Sequence, residues 1–216
     1  MKTPRECSKK TCKSLLAAAV DVFAEKGYRD ATVAEICELA RANIAAVNYH
    51  FRDKETLYRE AWRYAFAESI KDHPPDAGVG AASPPEERLR GQITALLQRI
   101  SDRKNKDFLI VLKEMTNPTG LLHEIMQEML LPLQKRMQAT IRELLGPDAS
   151  DMQVQFCEVS IMSQCVNPMV LKRKDDRNAP PGIKNVKAYA DHVVRFSLAG
   201  IHAVQDKAGK KQMKQG

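Results

Sequence analysis

No cysteine pair in this 216-residue chain has the C-x-x-C spacing of a zinc or redox motif. The five cysteines, at 7, 12, 37, 157 and 165, are odd in number and scattered. That points to free thiols in a reducing compartment, not to a disulfide framework. No apolar run approaches the ~20 residues of a membrane span. The run at 15–20 behind Lys9 and Lys10 is broken by Asp21, too soon for the apolar core of a secretory signal. A soluble, cytoplasmic protein with no membrane partner is expected. His73, His123, His192 and His202 show no metal-ligand spacing, so no metal and no other cofactor is expected. Nucleophile–base spacing and a glycine-rich phosphate loop are missing too, which argues against an enzyme. No internal repeat is visible.

Helix breakers are scarce over long stretches. Many of the 10 glycines and 11 prolines cluster, and the segments between show a 3.6-residue apolar period. An all-α chain is expected, with an N-terminal three-helix domain and a larger C-terminal helical domain. The formal charge is +7, and the excess sits largely at the ends. Residues 1–13 carry five basic side chains and one acid, and residues 205–216 carry four and one. Such arms suit phosphate contacts, or are simply solvated ends.

Taken in order, 13–26 reads as a helix with Leu15, Leu16, Ala19, Val22 and Phe23 on one face and Gly27 to end it. Residues 31–58 follow as two short helices, a tight turn and the start of a third. Thr32 and Glu35 have the spacing of a capping box. Val33, Ile36, Cys37 and Ala40 then recur at helical spacing, and Asn43 suits the N-cap of a second helix over 44–50. Asp53 caps a long helix over 54–71, buried through Leu57, Tyr58, Ala61, Trp62, Ala65 and Phe66. Residues 73–85, with four prolines and two glycines, read as a linker. Helices are expected over 86–100, 108–115, 121–145 (kinked or split at Pro132), from Ser150 or Asp151 to about 171, and over 185–204, with a loop at 172–182. The expected organisation is therefore 1–53, a connecting helix 54–72, a linker 73–85, a body 86–204 and a basic tail 205–216.

Two short helices around a tight turn are the plan of a DNA-reading helix-turn-helix. The second helix carries no formal charge. Asn48 can pair bidentately with adenine, and Ala45 and Ala46 can touch a thymine methyl. Tyr49 and His50 are its other polar or aromatic members. Lys54, in the first turn of the next helix, suits a phosphate. The competing reading is a plain helix bundle in which Tyr49 and Phe51 are core.

Gly27-Tyr28, Thr32-x-x-Glu35-Ile36, Ala40, Asn48-Tyr49-His50-Phe51 and Lys54-Glu55-x-Leu57-Tyr58 resemble the N-terminal signature of the TetR family of transcriptional regulators. The resemblance covers roughly residues 10–60. Glu114-Met115-x-Asn117-Pro118-Thr119 and a following helix broken at Pro132 are similar, more weakly, to the CecR-like branch. The resemblance implies an all-α homodimer with a DNA-binding head and a ligand-binding body, a repressor of a palindromic double-stranded operator. Its DNA contacts would be drawn from Thr32, Arg41, Asn43, Ala45, Ala46, Asn48, Tyr49, His50 and Lys54. Arg41 departs from the family, which usually has glycine at that turn. Arginine takes a left-handed backbone at some cost, and its guanidinium can reach a phosphate.

Seven of the nine methionines lie between 115 and 169. Methionine is flexible and polarizable, which suits a pocket for a small, largely apolar effector, or an ordinary core. The pocket candidates are Phe108, Leu112, Met115, Met126, Met129, Phe156, Met162, Cys165 and Met169. In the last helix Val186, Tyr189, Val193, Phe196, Gly200 and Ile201 form a stripe, with Ala199 and Ala203 beside it. The family resemblance makes this the dimer face, and an intramolecular core is the alternative. A weakly specific architectural DNA binder without an effector is the second functional reading.

Overall fold

The computed structural model describes the backbone of residues 4–170, 183 and 185–212. Among these residues it holds nine α-helices and no strand. In chain order they are α1 (Pro4–Asp30), α2 (Val33–Ala40), α3 (Ile44–Phe51), α4 (Lys54–Asp72), α5 (Pro85–Ser101), α6 (Asp107–Thr116), α7 (His123–Leu145), α8 (Asp151–Val170) and α9 (Val186–Gln212). The all-α class is the one the apolar periodicity requires. None of the helices, over the described residues, is long and apolar enough to cross a membrane. The loop expected at 172–182 lies outside the described residues. The chain groups into two compact units, residues 1–71 with 103–128 and residues 72–102 with 129–216.

In the first unit, α1 starts well before residue 13. Nothing in 5–12 breaks a helix, and a proline suits a first turn, where its missing N–H is not needed. The basic segment 1–13 is therefore helical from Pro4 onward. Gly27 interrupts α1 at φ 80°, ψ 178°, a left-handed φ that glycine adopts with little strain. Leu15, Phe23, Ile36, Val47, Leu57 and Trp62 are buried and make a core shared by α1 to α4. Along α1 lies α6, with Ile110 fully buried and Lys106 Nζ 2.7 Å from Asp21 Oδ1.

In the second unit, α5 packs on both α8 and α9, and α8 packs on α9. Leu89, Ile93, Leu97, Ile141, Ile161 and Val193 are buried at its centre. Gln92 Nε2 donates to Thr140 Oγ1 at 3.0 Å, a buried polar bridge from α5 to α7. Contrary to a split at Pro132, α7 runs through it as one helix of 23 residues. A lone proline removes one N–H from a ladder that the flanking turns sustain. Ser150 and Gln153 cap α8 reciprocally, at 3.2 and 2.9 Å. Asn185 caps α9 by accepting from Ala188 N at 3.0 Å. The last helix continues past 204, so the expected tail is helical to Gln212, and 213–216 lie outside the described residues. α8 and α9 run antiparallel: Tyr189 Oη donates to Gln164 O at 2.7 Å, while Gln205 lies beside Gly146 just before α8.

The proline-rich 73–85 segment is folded onto α5. A Cβ at Gly91 would stand 2.3 Å from the Asp76 carbonyl oxygen and 2.9 Å from Val79. Gly91→Ala is therefore expected to destabilise the chain by about 2–3 kcal/mol, since backbone must move. Thermal unfolding should show a midpoint roughly 4–12 °C lower. A midpoint within about 2 °C of wild type would mean the 73–85 turns shift freely.

Candidate nucleic-acid interface

The helix-turn-helix is built by its caps. Thr32 Oγ1 accepts from Glu35 N at 3.2 Å, and Glu35 Oε2 accepts from Thr32 N at 3.1 Å. Glu35 also takes Lys26 Nζ at 2.5 Å, which with the cap holds its carboxyl below the usual range. Arg41 ends α2 in the left-handed region, φ 51° and ψ 45°, its N–H bonded to Cys37 O and Glu38 O. Asn43 Oδ1 accepts from Ala46 N at 2.9 Å and starts α3. Val47 and Phe51 anchor the underside of α3 in the core.

That leaves the other side of α3 open. Ala45 and Asn48 are exposed, and Tyr49 stands 80% exposed with its ring edge-on to His50 at 5.0 Å. Tyr49 is not core. Arg41 is exposed at the turn. Ala46 and His50 are half-buried, and the Thr32 and Asn43 side chains are occupied by capping. Lys54 is half-buried, with Nζ 4.5 Å above the Tyr28 ring, and burial lowers its pKa. Asp53 Oδ1 accepts from Thr56 N at 2.7 Å, so the α4 N-terminus is capped from within the chain. Two side chains escaped sequence reasoning. Leu39 and Ile44 flank the turn at 55% and 54% exposure. Ile44 sits at helical spacing from the buried Val47 and Phe51. At the first turn of α3 the chain has no neighbour to cover it.

An outward α3 with a bound turn and an uncharged reading face is a geometry shared by many helix-turn-helix proteins. Comparison with known proteins narrows it. Residues 15–61 match the profile of bacterial regulatory proteins of the tetR family. Residues 85–201 match that of the C-terminal domain of the HTH-type transcriptional dual regulator CecR. The chain belongs to the TetR family, with a CecR-type C-terminal domain. It is 31% identical over 152 residues to CecR of Shigella flexneri, covering 64% of this chain and 66% of that protein. It is 29% identical over 94 residues to the probable acrEF/envCD operon repressor of Escherichia coli K12, covering 43% of this chain and 41% of that one. The chain thus spans less than two thirds of the length of these curated relatives. The fold is shared with AibR, solved in complex with isovaleryl coenzyme A and operator DNA, at TM-score 0.65 and 17% identity over 85% of this chain and 96% of that one.

In this TetR-family regulator the expected pocket residues do not fall in one unit. Phe108, Leu112, Met115 and Met126 belong to the first, and Met129, Phe156, Met162 and Cys165 to the second. Met115 and Phe156 are each 65% exposed. Phe108, Leu112, Met126, Met129 and Met162 are half-buried. Cys165 is fully buried, and burial pushes its thiol up to about 12, far from a reactive thiolate. The Met169 side chain lies outside the described residues.

The expected dimer stripe divides in two. Val193 and Ile201 are buried in the chain's own core, Val186 and Tyr189 are half-buried, and Phe196 (62%) and Gly200 are exposed. The outward face also carries Ala199 and Ala203, with His192 stacked on Phe196 at 6.2 Å. On α8, Met152, Phe156 and Val159 are 60–65% exposed at i, i+4, i+7. α8 and α9 pack on each other and both pack on α5.

Arg41→Gly tests the turn. Relief of the left-handed arginine is expected to add about 0.5–1 kcal/mol of stability, net of glycine's entropy. DNA affinity should fall, and the log–log salt slope should flatten by about one phosphate contact per head. Affinity unchanged at every salt concentration would remove Arg41 from the interface.

Proposed function

We propose that the chain is a repressor that binds a palindromic operator as a homodimer and responds to a small, largely apolar molecule. The observation that carries this reading is the outward face of α3, where Ala45, Asn48 and Tyr49 stand clear of the core beside Arg41. Residues 1–53 read DNA, 54–72 connect, 73–85 link, and 86–204 hold the effector and the dimer surface, in a cytoplasmic protein. The relative described as an operon repressor and the AibR complex with an acyl-coenzyme A and operator DNA support a repressor with an effector. An uncharged α3 also favours two heads, because one such helix offers few contacts. Basic side chains at Lys9, Lys10 and Lys13, exposed along the start of α1, supply sequence-independent affinity.

Selection of bound duplexes from random-sequence DNA tests the reading. An inverted repeat should be enriched, its half-site centres about 34 Å apart or a multiple of that. Retention of DNA without any enriched repeat would favour an architectural binder instead.

A further inference from the structure

Within the first unit, Arg29, Tyr58 and Arg59 reach the end of α6 and the turn that follows it, with Tyr28 packed against the Tyr58 ring. They come as two consecutive pairs, Tyr28-Arg29 and Tyr58-Arg59. Arg29 donates from Nε to Asn117 Oδ1 at 3.0 Å and from Nη2 to the Pro118 carbonyl at 3.1 Å. Arg59 Nε donates to the Leu121 carbonyl at 3.0 Å. Tyr58 Oη donates to Glu114 Oε2 at 3.1 Å. The same carboxylate accepts from Thr119 N at 2.8 Å, Thr119 Oγ1 at 2.8 Å and Gly120 N at 2.9 Å. Glu114 thus joins the α4 hydroxyl to the backbone of the turn.

On the other side of Tyr58 the contacts continue to Tyr28 and the first turn of α4. Its ring centroid is 5.1 Å from that of Tyr28, and Lys54 Nζ lies 4.5 Å above Tyr28. A cavity of about 150 Å³ opens against this column, bordered by Gly27, Tyr28, Tyr58, Lys113 and Glu114. The Tyr58 ring is fully buried, edge-on to Phe23 at 4.7 Å, and its hydroxyl is held by Glu114.

We propose that Glu114 is a positioning residue for DNA binding. Through the Tyr58 hydroxyl it holds the ring stack that carries Lys54, and so sets how that ammonium meets a phosphate. The proposal rests on the DNA-binding reading above. It commits to a route, Glu114 to Tyr58 to Tyr28 to Lys54, which a double-mutant cycle can break.

The test titrates full-length wild type, Glu114→Ala, Glu114→Gln, Tyr58→Phe and the Glu114→Ala/Tyr58→Phe double onto a duplex that wild type enriches from random DNA, over a KCl series. Glu114→Ala and Tyr58→Phe should each weaken binding by about 5- to 10-fold and flatten the salt slope as one lost phosphate contact does. The double should be within about twofold of Glu114→Ala, because both remove one route. Glu114→Gln should recover to within about twofold of wild type. Its amide oxygen still accepts from Thr119 and Gly120, and its NH2 donates to Tyr58 Oη. Additive losses, or a lowered melting temperature with DNA affinity and salt slope intact, would overturn the proposal. Should Glu114→Ala fail to fold, Tyr58→Phe decides, since it keeps the ring, and affinity within twofold of wild type overturns the route. If wild type enriches no duplex at all, the DNA-binding reading fails and takes the proposal with it.

Discussion

Tyr49→Ala is expected to abolish operator binding while leaving the protein folded and dimeric. The side chain is 80% exposed, with its ring edge-on to His50. Truncation should therefore change stability by no more than about 0.5 kcal/mol. At the DNA surface the same ring offers a base-stacking or methyl-contacting face and a hydroxyl that reaches phosphate. An aromatic anchor of this kind contributes roughly 2 kcal/mol, and a two-fold dimer uses it twice. The expected loss is about 4 kcal/mol, close to a thousandfold in affinity. Fluorescence anisotropy with the enriched duplex measures it, and circular dichroism confirms folding. Retained specific binding would show that α3 is not the reading helix.

Phe196→Glu is expected to produce a folded monomer. Within one chain Phe196 is 62% exposed, in contact with the His192 ring, so the chain's own core does not depend on it. Ala199, Gly200 and Ala203 are exposed near it on α9, and α8, which packs on α9, exposes Met152, Phe156 and Val159. Two-fold symmetry would place a pair of carboxylates in that surface, each unpaired and stripped of water. The effective penalty is several kcal/mol per ion. Sedimentation at micromolar concentration should show one chain instead of two. Operator affinity should fall at least about a hundredfold, because one head gains nothing from the second half-site. A variant that remains dimeric would move the interface elsewhere.

What was legible in the sequence was local. Thr32 and Glu35, Asn43, Asp53 and Ser150, one of the two caps expected for α8, all cap within three residues of themselves, so spacing reveals them, whereas the Asn185 cap was not foreseen. Gly27 interrupts α1 for a reason carried by its own backbone, although the helix resumes to Asp30. The all-α class followed from the apolar period for the same reason. The α9 stripe shows where such reasoning ends. At 100° per residue, Ala190, Val193, Val194, Ser197 and Ile201 make one face, and Tyr189, His192, Phe196, Ala199 and Ala203 make another roughly 140° away. The six residues read as a single stripe straddled both. Apolar spacing marks a helix as two-sided without telling which side meets its own chain.

The Glu114 cluster was illegible for a different reason. Tyr58 and Glu114 are 56 residues apart in sequence, and Arg29 and Asn117 are 88 apart. No periodicity connects them, and only the packing of α6 along α1 brings them together. The methionine cluster misleads in the opposite way. Seven methionines close in sequence fall into two compact units, because methionine fills any irregular apolar gap. Met152, by contrast, fills no gap and lies on an outward face with Phe156.

The central claim is that two identical heads, one per chain, grip two half-sites at once. The most direct measurement compares the enriched inverted repeat with the same repeat carrying about five extra base pairs between its half-sites, roughly half a helical turn. That insertion leaves every base contact available but turns the half-sites to opposite sides of the duplex. Binding at least about a hundredfold weaker is the expected result. Equal affinity for the two duplexes would contradict a dimeric, two-headed regulator.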